Sequence, residues 1–401
     1  MTILDLWKEA EEKAPECLMD IPYTEFSGYR IAIDMYGYTY PLMMSARIQV
    51  ANHWNVAESP VDQEKVNSVF YAKFIQKLLP ILANGITPIF VFEYGKNPKK
   101  KATDEKRTAD RELTQERIDS LREDINGDLF ASDNAAKIAK LRALEGQLAH
   151  FPSSVRDGLR KFLEILGIPV VIGKFGVEAE RVASILCIQG IAMAVYSPDG
   201  DCLAHGAPMV IRREGPTLMD EGVGSASFSC AHLPTLLDTL DLSMEEFRDV
   251  CICSGCDYNK RVFRVGIKKV IQLVRDYGKP CNFPERYDTS CYNYEDCLAE
   301  FGEASAMDCI DDDYRLENNI NRWEDFSSLK VHPSNDLSEM PAEIGITKSR
   351  DIILRHTFDV DEPTNYVYYD VKTITFGGQS YDVQHHRIPV KAVQSEVKRK
   401  K

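Results

Sequence analysis

Apolar residues in this chain gather in short runs, with segments of helical periodicity between them. The run Y-R-I-A-I-D-M at 29–35 ends in Asp34, and the run I-T-P-I-F-V-F-E at 86–93 ends in Glu93. A third run covers Ile168 to Ile172, a fourth Ile191 to Tyr196, and a fifth P-M-V-I-R-R at 208–213. Short continuous apolar runs predict strands buried on both faces, as in a parallel sheet. Helices are predicted at 3–14, at 62–84 with Val66, Val69, Phe70, Phe74, Leu78 and Leu79 apolar, at 153–166, from about Val177, and within 233–256. Strands alternating with helices define an α/β fold. No strand signal lies between Thr108 and Pro152, so the charged, helical stretch 111–150 is an insertion, either a helical hairpin or a mobile arch. Residues 281–344 are acidic and irregular, and 364–391 alternate as in a hairpin or small sheet.

Acids stand at the ends of the predicted strands. Asp34 and Glu93 close the first two, Glu178 and Glu180 open the helix after the third, and Asp199 and Asp201 follow the fourth. Asp257 comes just after Gly255. In an open α/β sheet, chemistry collects at the carboxyl ends of the strands. Carboxylates so placed repel one another unless a cation joins them. Mg²⁺ takes oxygen ligands with few carboxylates per ion, and two ions about 4 Å apart can flank a phosphodiester. Simpler readings stand beside this one. Asp34 can cap a helix, Glu178 can complement a helix dipole, and Asp199 and Asp201 can belong to a turn at Gly200.

A basic run follows the strand that ends in Glu93. It holds Lys96, Lys99, Lys100, Lys101, Lys106, Arg107 and Arg111. Lys100 and Arg107 share a face if the run is helical. The alternatives are a solvated helix face and a grip on phosphate. At 261–277 a turn at Gly266 opens a helix, with Lys268 and Lys269 behind it. Such a turn can offer backbone N–H groups to a phosphate, or can simply pack in the core.

Bulk composition changes little. The chain has 401 residues, 44% hydrophobic and 27% charged, with a net charge of −14, so the whole molecule is not a basic nucleic-acid binder, although local patches decide contact. No apolar run approaches the roughly 20 residues of a membrane span. The start M-T-I-L-D-L-W-K-E-A reads as an amphipathic helix rather than a signal peptide. Eleven cysteines without such a signal predict reduced thiols and an intracellular location, nucleus or cytoplasm. Cys251, Cys253 and Cys256 are expected to be structural.

The pieces I-A-I-D (31–34), P-I-F-V-F-E-Y-G-K (88–96), K-R-T-A-D-R (106–111), L-G-I-P-V-V-I-G-K-F-G-V-E-A-E (166–180), S-P-D-G-D-C-L-A-H-G (197–206) and G-C-D-Y…V-G-I-K-K (255–269) occur in a fixed order. Together they resemble the flap endonuclease family of structure-specific 5′ nucleases, in the xeroderma pigmentosum group G and flap endonuclease superfamily. The resemblance covers about residues 28–280. It implies a PIN-like fold with a mostly parallel sheet, a helical arch and a helix-turn-helix that binds duplex. The implied domains are a nuclease domain at 1–280, with the arch at about 96–150 and the helix-turn-helix at 255–280, then a divergent region at 281–401 with a basic tail.

Position by position, the resemblance implies that Asp34, Glu93, Glu178 and Glu180 serve one metal site and that Asp199, Asp201 and Asp257 complete a second. The ions implied are Mg²⁺, with Mn²⁺ as a substitute. Lys100 and Arg107 match the basic pair that polarises the scissile phosphate. Tyr40 matches an aromatic that stacks a base, and Arg47 a basic residue near the duplex junction. Gly266, Lys268 and Lys269 match the duplex grip, where the family often binds K⁺. The implied partner is DNA with single-strand/duplex junctions, bound by a monomer, with no membrane association.

Departures from the pattern mark a divergent member, and a viral origin fits them. Glu93 stands where the family usually has Asp, and Tyr94 intervenes before the glycine. Thr2 and Asp5 replace glycines near the start, and Arg264 replaces the first glycine of the duplex-binding turn. No sliding-clamp motif is found. Three functions remain open at this point: a Mg²⁺-dependent DNA nuclease, an RNA nuclease of the same fold, and a non-catalytic nucleic-acid-binding regulator.

Overall fold

The computed structural model describes residues 3–320, apart from 129–130, 167, 221–222, 263, 291, 303–305 and 319, and five short strands between 355 and 390. After α1 (Leu6–Lys13) and β1 (Leu18–Pro22), the chain enters the sheet's centre with β2 (Arg30–Asp34). Helices α2 (Met35–His53) and α3 (Gln63–Ala83) lead to β3 (Thr87–Tyr94). Next come α4 (Lys101–Gly127), α5 (Asn134–Gln147), α6 (Ser153–Ile165) and β4 (Val170–Phe175). The chain then returns through α7 (Ala179–Ile188) to β5 (Ala194–Tyr196), the single turn α8 (Asp201–Ala204) and β6 (Met209–Glu214). A small antiparallel ribbon, β7 (Leu218–Asp220) and β8 (Val223–Ser225), precedes β9 (Ser227–His232).

The main sheet has seven strands in the order β1-β9-β6-β5-β2-β3-β4. The five from β6 to β4 are parallel, whereas β9 runs antiparallel to β6 and pairs with β1. The α/β expectation with a mostly parallel sheet holds. The antiparallel margin was not foreseen. Alternation along the strands splits the core in two, as a sheet covered on both faces requires. Ile31, Ile33, Phe90 and Phe92 face one cluster with Phe70, Phe74 and Phe162, while Ala32, Ile89 and Val91 face another with Ala183, Leu186 and Phe247.

Strand order reverses between β2 and β5. From β2 the chain steps outward through β3 to β4, then crosses back to β5 on the other side of β2. The carboxyl ends of β2 and β5 therefore flank a switch point, where open α/β sheets bind their ligands.

The insertion is a helical hairpin: α4 and α5 pack together, and α5 also packs on α2. Glu145 of α5 is buried, and it takes Arg47 Nη2 of α2 at 2.7 Å and Arg122 Nη2 of α4 at 3.0 Å. Helices α9 (Leu233–Leu240), α10 (Met244–Ser254) and α11 (Ile267–Tyr277) follow, with α10 and α11 packed together; of the stretch 255–280 expected as a helix-turn-helix, α11 is the helix, and α10 ends before it. A capping box, Ser243 with Glu246, starts α10.

Residues 281–320 are more regular than their composition suggests. They hold α12 (Tyr294–Phe301) and α13 (Asp312–Glu317), and Cys297, Phe301, Ile310 and Ile320 join the core on the α7 side. The expected domain boundary at 280 falls within this packing. Further on, β10 (Arg355–Thr357), β11 (Asn365–Tyr369) and β14 (His386–Val390) form a three-stranded sheet, and β12 (Ile374–Phe376) pairs with β13 (Gln379–Tyr381). The basic tail, Lys398 to Lys401, lies outside the described residues.

Candidate active site

The seven acids gather at the carboxyl ends of the parallel strands. Asp34 leaves β2 as the cap of α2, accepting the N–H groups of Tyr36 and Gly37 at 3.0 Å each and the Ser197 hydroxyl at 3.3 Å. Capping and a place in the cluster thus coexist in one residue. Glu178 occupies the cap position of α7, where its charge complements the helix dipole, and makes no side-chain capping bond. After β5, Asp199 accepts the Asp201 N–H at 3.2 Å, and its own N–H donates to Ser197 Oγ at 3.2 Å. Glu93 accepts the Ala179 N–H at 3.4 Å, joining the end of β3 to the start of α7.

Glu180, Asp199 and Asp201 each place a carboxylate oxygen within 4.8 Å of the others. This trio draws on both of the ligand sets the resemblance implied, so the grouping by geometry differs from the grouping by motif. Both carboxylate oxygens of Asp201 and one of Glu180 are buried without a hydrogen-bond partner. A buried carboxylate left this way is costly unless it is protonated or bound by a cation. The proton affinities agree. Burial raises Glu180 and Asp201 well above the carboxylate range, with Asp199 adding repulsion to both. Burial likewise lifts Asp34 to about 7, against the Gly37 N–H and with help from Asp199. Glu93 rises to about 8 through burial, then through Asp34 and Glu178. An all-oxygen donor set of this kind fits a hard divalent cation.

Two cations of the chain close the other side. Lys100 Nζ lies 2.7 Å from Glu178 Oε1 and 3.1 Å from Asp257 Oδ2, and Arg107 Nη2 lies 3.1 Å from the same Asp257 oxygen. Burial opposes the charge on Lys100, but Glu180, Glu178, Asp257 and Asp201 outweigh it and hold the ammonium protonated. Lys100 ends a short turn after β3, and Arg107 comes two turns into α4, so the expected shared face is what brings them together. Lys100 is turned inward, while the Arg107 side chain is 47% exposed. Sequence reasoning passed over two supports. Tyr258 donates its hydroxyl to Glu178 Oε2, and Thr103 donates to the Asp257 carbonyl at 2.9 Å. Tyr258 was visible as the last letter of G-C-D-Y; Thr103 carried no signal.

The expected nucleic-acid contacts fare unevenly. Tyr40 is half-buried on α2, near the Ala149 carbonyl. Arg47 does not face solvent: it is 9% exposed, and its guanidinium is committed to the Glu145 carboxylate and carbonyl and to Gln63. A cation so paired locks α5 to α2 and is not presented to a duplex. Gly266 starts α11 with φ −83°, and a Cβ there would meet nothing within 4 Å, so the turn is open but does not require glycine. Arg264 takes the left-handed φ of 63° instead. Lys269 is exposed, whereas Lys268 pairs with Glu12 of α1 and lies 4.0 Å from Glu9. Cys251 and Cys253 are buried core thiols, as expected.

Similarity to known proteins follows the same residues. The XPG N-terminal domain profile matches residues 1–114 and the XPG I-region profile residues 167–257, together just over half of the chain. Flap endonuclease 1 of Phaeodactylum tricornutum is 26% identical over 279 residues, 69% of this chain and 62% of that protein. Flap endonuclease 1-A of Oryza sativa subsp. japonica is 29% identical over 280 residues, 69% and 67% of the two chains. Flap endonuclease 1 of Schizosaccharomyces pombe is 28% identical over 314 residues, 77% and 76%. Similar solved structures include flap endonuclease-1 from Methanococcus jannaschii, 24% identical with a TM-score of 0.46 over 71% of this chain and 82% of that one. Another is the catalytic core of Rad2 in complex with a DNA substrate, 16% identical with a TM-score of 0.48 over 81% and 85%. The chain belongs to the XPG and flap endonuclease superfamily. Its length spans 62% of the Phaeodactylum protein, so what the relatives do as whole proteins is taken up below as inference.

Proposed function

We infer that this chain is a metal-dependent, structure-specific 5′ nuclease that hydrolyses phosphodiester bonds of DNA at 5′ flaps or junctions. The observation that carries this reading is the buried acid cluster with unpartnered oxygens, closed on one side by Lys100 and Arg107. Glu180, Asp199 and Asp201 would hold one divalent ion, Mg²⁺ by the hardness of the donors. Glu178 and Asp257 would border a second, with Asp34 and Glu93 supporting through water. Bound ions of this kind polarise a phosphodiester and activate water. The protein's own part is electrostatic and geometric. Lys100 and Arg107 meet the negative charge of the scissile phosphate, Tyr258 orients Glu178, and the cap at α2 fixes Asp34. The nuclease unit is proposed to extend over 1–280, with α12 and α13 packed onto its core, the helical hairpin as its arch, and Lys269 with the open turn at Gly266 touching the duplex backbone.

Asp199→Ala tests this reading. Single-turnover cleavage of 5′-flap DNA in Mg²⁺ is expected to fall by several orders of magnitude, while affinity measured in Ca²⁺ is kept. Cleavage near the wild-type rate would refute the assignment. Matched flaps of RNA in the same assay separate a DNA nuclease from an RNA nuclease.

A further inference from the structure

Two aromatic rings stand in the open at the carboxyl ends of β3 and β4. Tyr94 is 56% exposed and Phe175 64%, and the rings meet edge to face with centroids 5.8 Å apart. Single exposed apolar residues need no explanation. This pair is different because the backbone holds it. The register of β3 against β4 shifts between Phe92 and Tyr94, so that Tyr94 comes opposite Phe175. The Gly176 N–H closes the corner on the Tyr94 carbonyl at 2.9 Å. Gly95 has φ +76°, and a Cβ at that position would lie 2.4 Å from the Phe175 ring. Only glycine lets the chain pass under the ring.

The position connects the pair with the chemistry. Tyr94 directly follows Glu93, and Phe175 is three residues before Glu178. Lysines flank both rings in sequence: Lys96, 83% exposed at its side chain, Lys101, 80%, and Lys174, 46%. Their partners Glu105 and Asp312 make exposed pairs, which are worth little, and Asp104 is half-buried. Fixed aromatic faces beside mobile cations are how proteins hold single-stranded nucleic acid without reading its sequence.

We propose that Tyr94 and Phe175 form a stacking platform for a nucleobase of the single strand next to the scissile phosphate. The proposal rests on the nuclease reading and adds a contact outside the acid cluster. Tyr94 is the residue that intervenes before Gly95, one of the departures from the family pattern.

The test uses the full chain in Ca²⁺ with 5′-flap DNA carrying a fluorescent adenine analogue at successive flap positions. Wild type is expected to change the analogue's emission at one position, and an abasic site at that position to weaken binding. The double variant Tyr94→Ala, Phe175→Ala should bind the intact flap about tenfold more weakly, as expected for one lost stacking contact, and lose the emission change. Phe175→Trp should retain both. Equal affinities of wild type and the double variant, or an abasic flap that wild type binds as well as the intact one, would overturn the platform. Cleavage of the same flap by wild type in Mg²⁺ reports separately on the nuclease reading.

Discussion

Lys100 and Arg107 share one carboxylate oxygen of Asp257, and that sharing sets their role. Lys100 is largely buried and held charged by four acids, so it is positioned before substrate arrives. Such preorganised charge acts most strongly on charge that develops in the transition state. Lys100→Ala and Arg107→Ala should each slow single-turnover cleavage by about 10²–10³-fold, with substrate affinity changed far less. Comparable small losses in rate and affinity would instead place both residues on a solvated surface. The acids and this basic pair were legible in the sequence because strand ends and helical spacing fix where they stand. Arg47 was not. An arginine on a helix reads the same whether it meets a phosphate or a buried glutamate, and Glu145 lies 98 residues further on.

Among the elements, α11 shows where motif and structure part. Lys268 and Lys269 are neighbours in sequence, but α1 takes the first through Glu12 and Glu9. Of the two, Lys269 is the one proposed above for the duplex. Replacing both lysines by Ala should therefore reduce the salt slope of duplex binding by about one unit, near 0.9 per phosphate contact, rather than two. A titration of duplex affinity against salt checks this, and an unchanged slope would make the turn purely structural. Helices and parallel strands were readable from periodicity and from continuous apolar runs. Strand β1 was not, because L-M-D-I-P is short, holds an acid and ends in proline, and only its pairing with β9 makes it a strand.

For the whole molecule, the acid cluster couples stability to pH. Asp34, Glu93, Glu180 and Asp201 bind protons more tightly in the folded chain than the ordinary values of 3.8 and 4.5. The folded state therefore holds more protons than the unfolded one, and stability falls as pH rises. The contribution is complete below about pH 4 and is lost as pH passes through about 7 for Asp34 and about 8 for Glu93. Denaturant midpoints in chelator should decline across that window, Mg²⁺ should oppose the decline, and Glu93→Gln should flatten it. A midpoint in chelator that does not fall between those limits would contradict the raised proton affinities.

The margin of the sheet governs how the chain can be made. Strand β1 finds its partner β9 only after residue 227, and Asp5, just before α1, and Glu12 within it pair with Arg261 and Lys268. Synthesis proceeds at about 5–20 residues per second, so the first twenty residues wait roughly 10–40 s for the segment that completes them. Until then the partner edge of β1 is open to any strand, including that of a second nascent chain. A chaperone that shields β1 during translation is expected to raise the yield of native chain more than one acting after release.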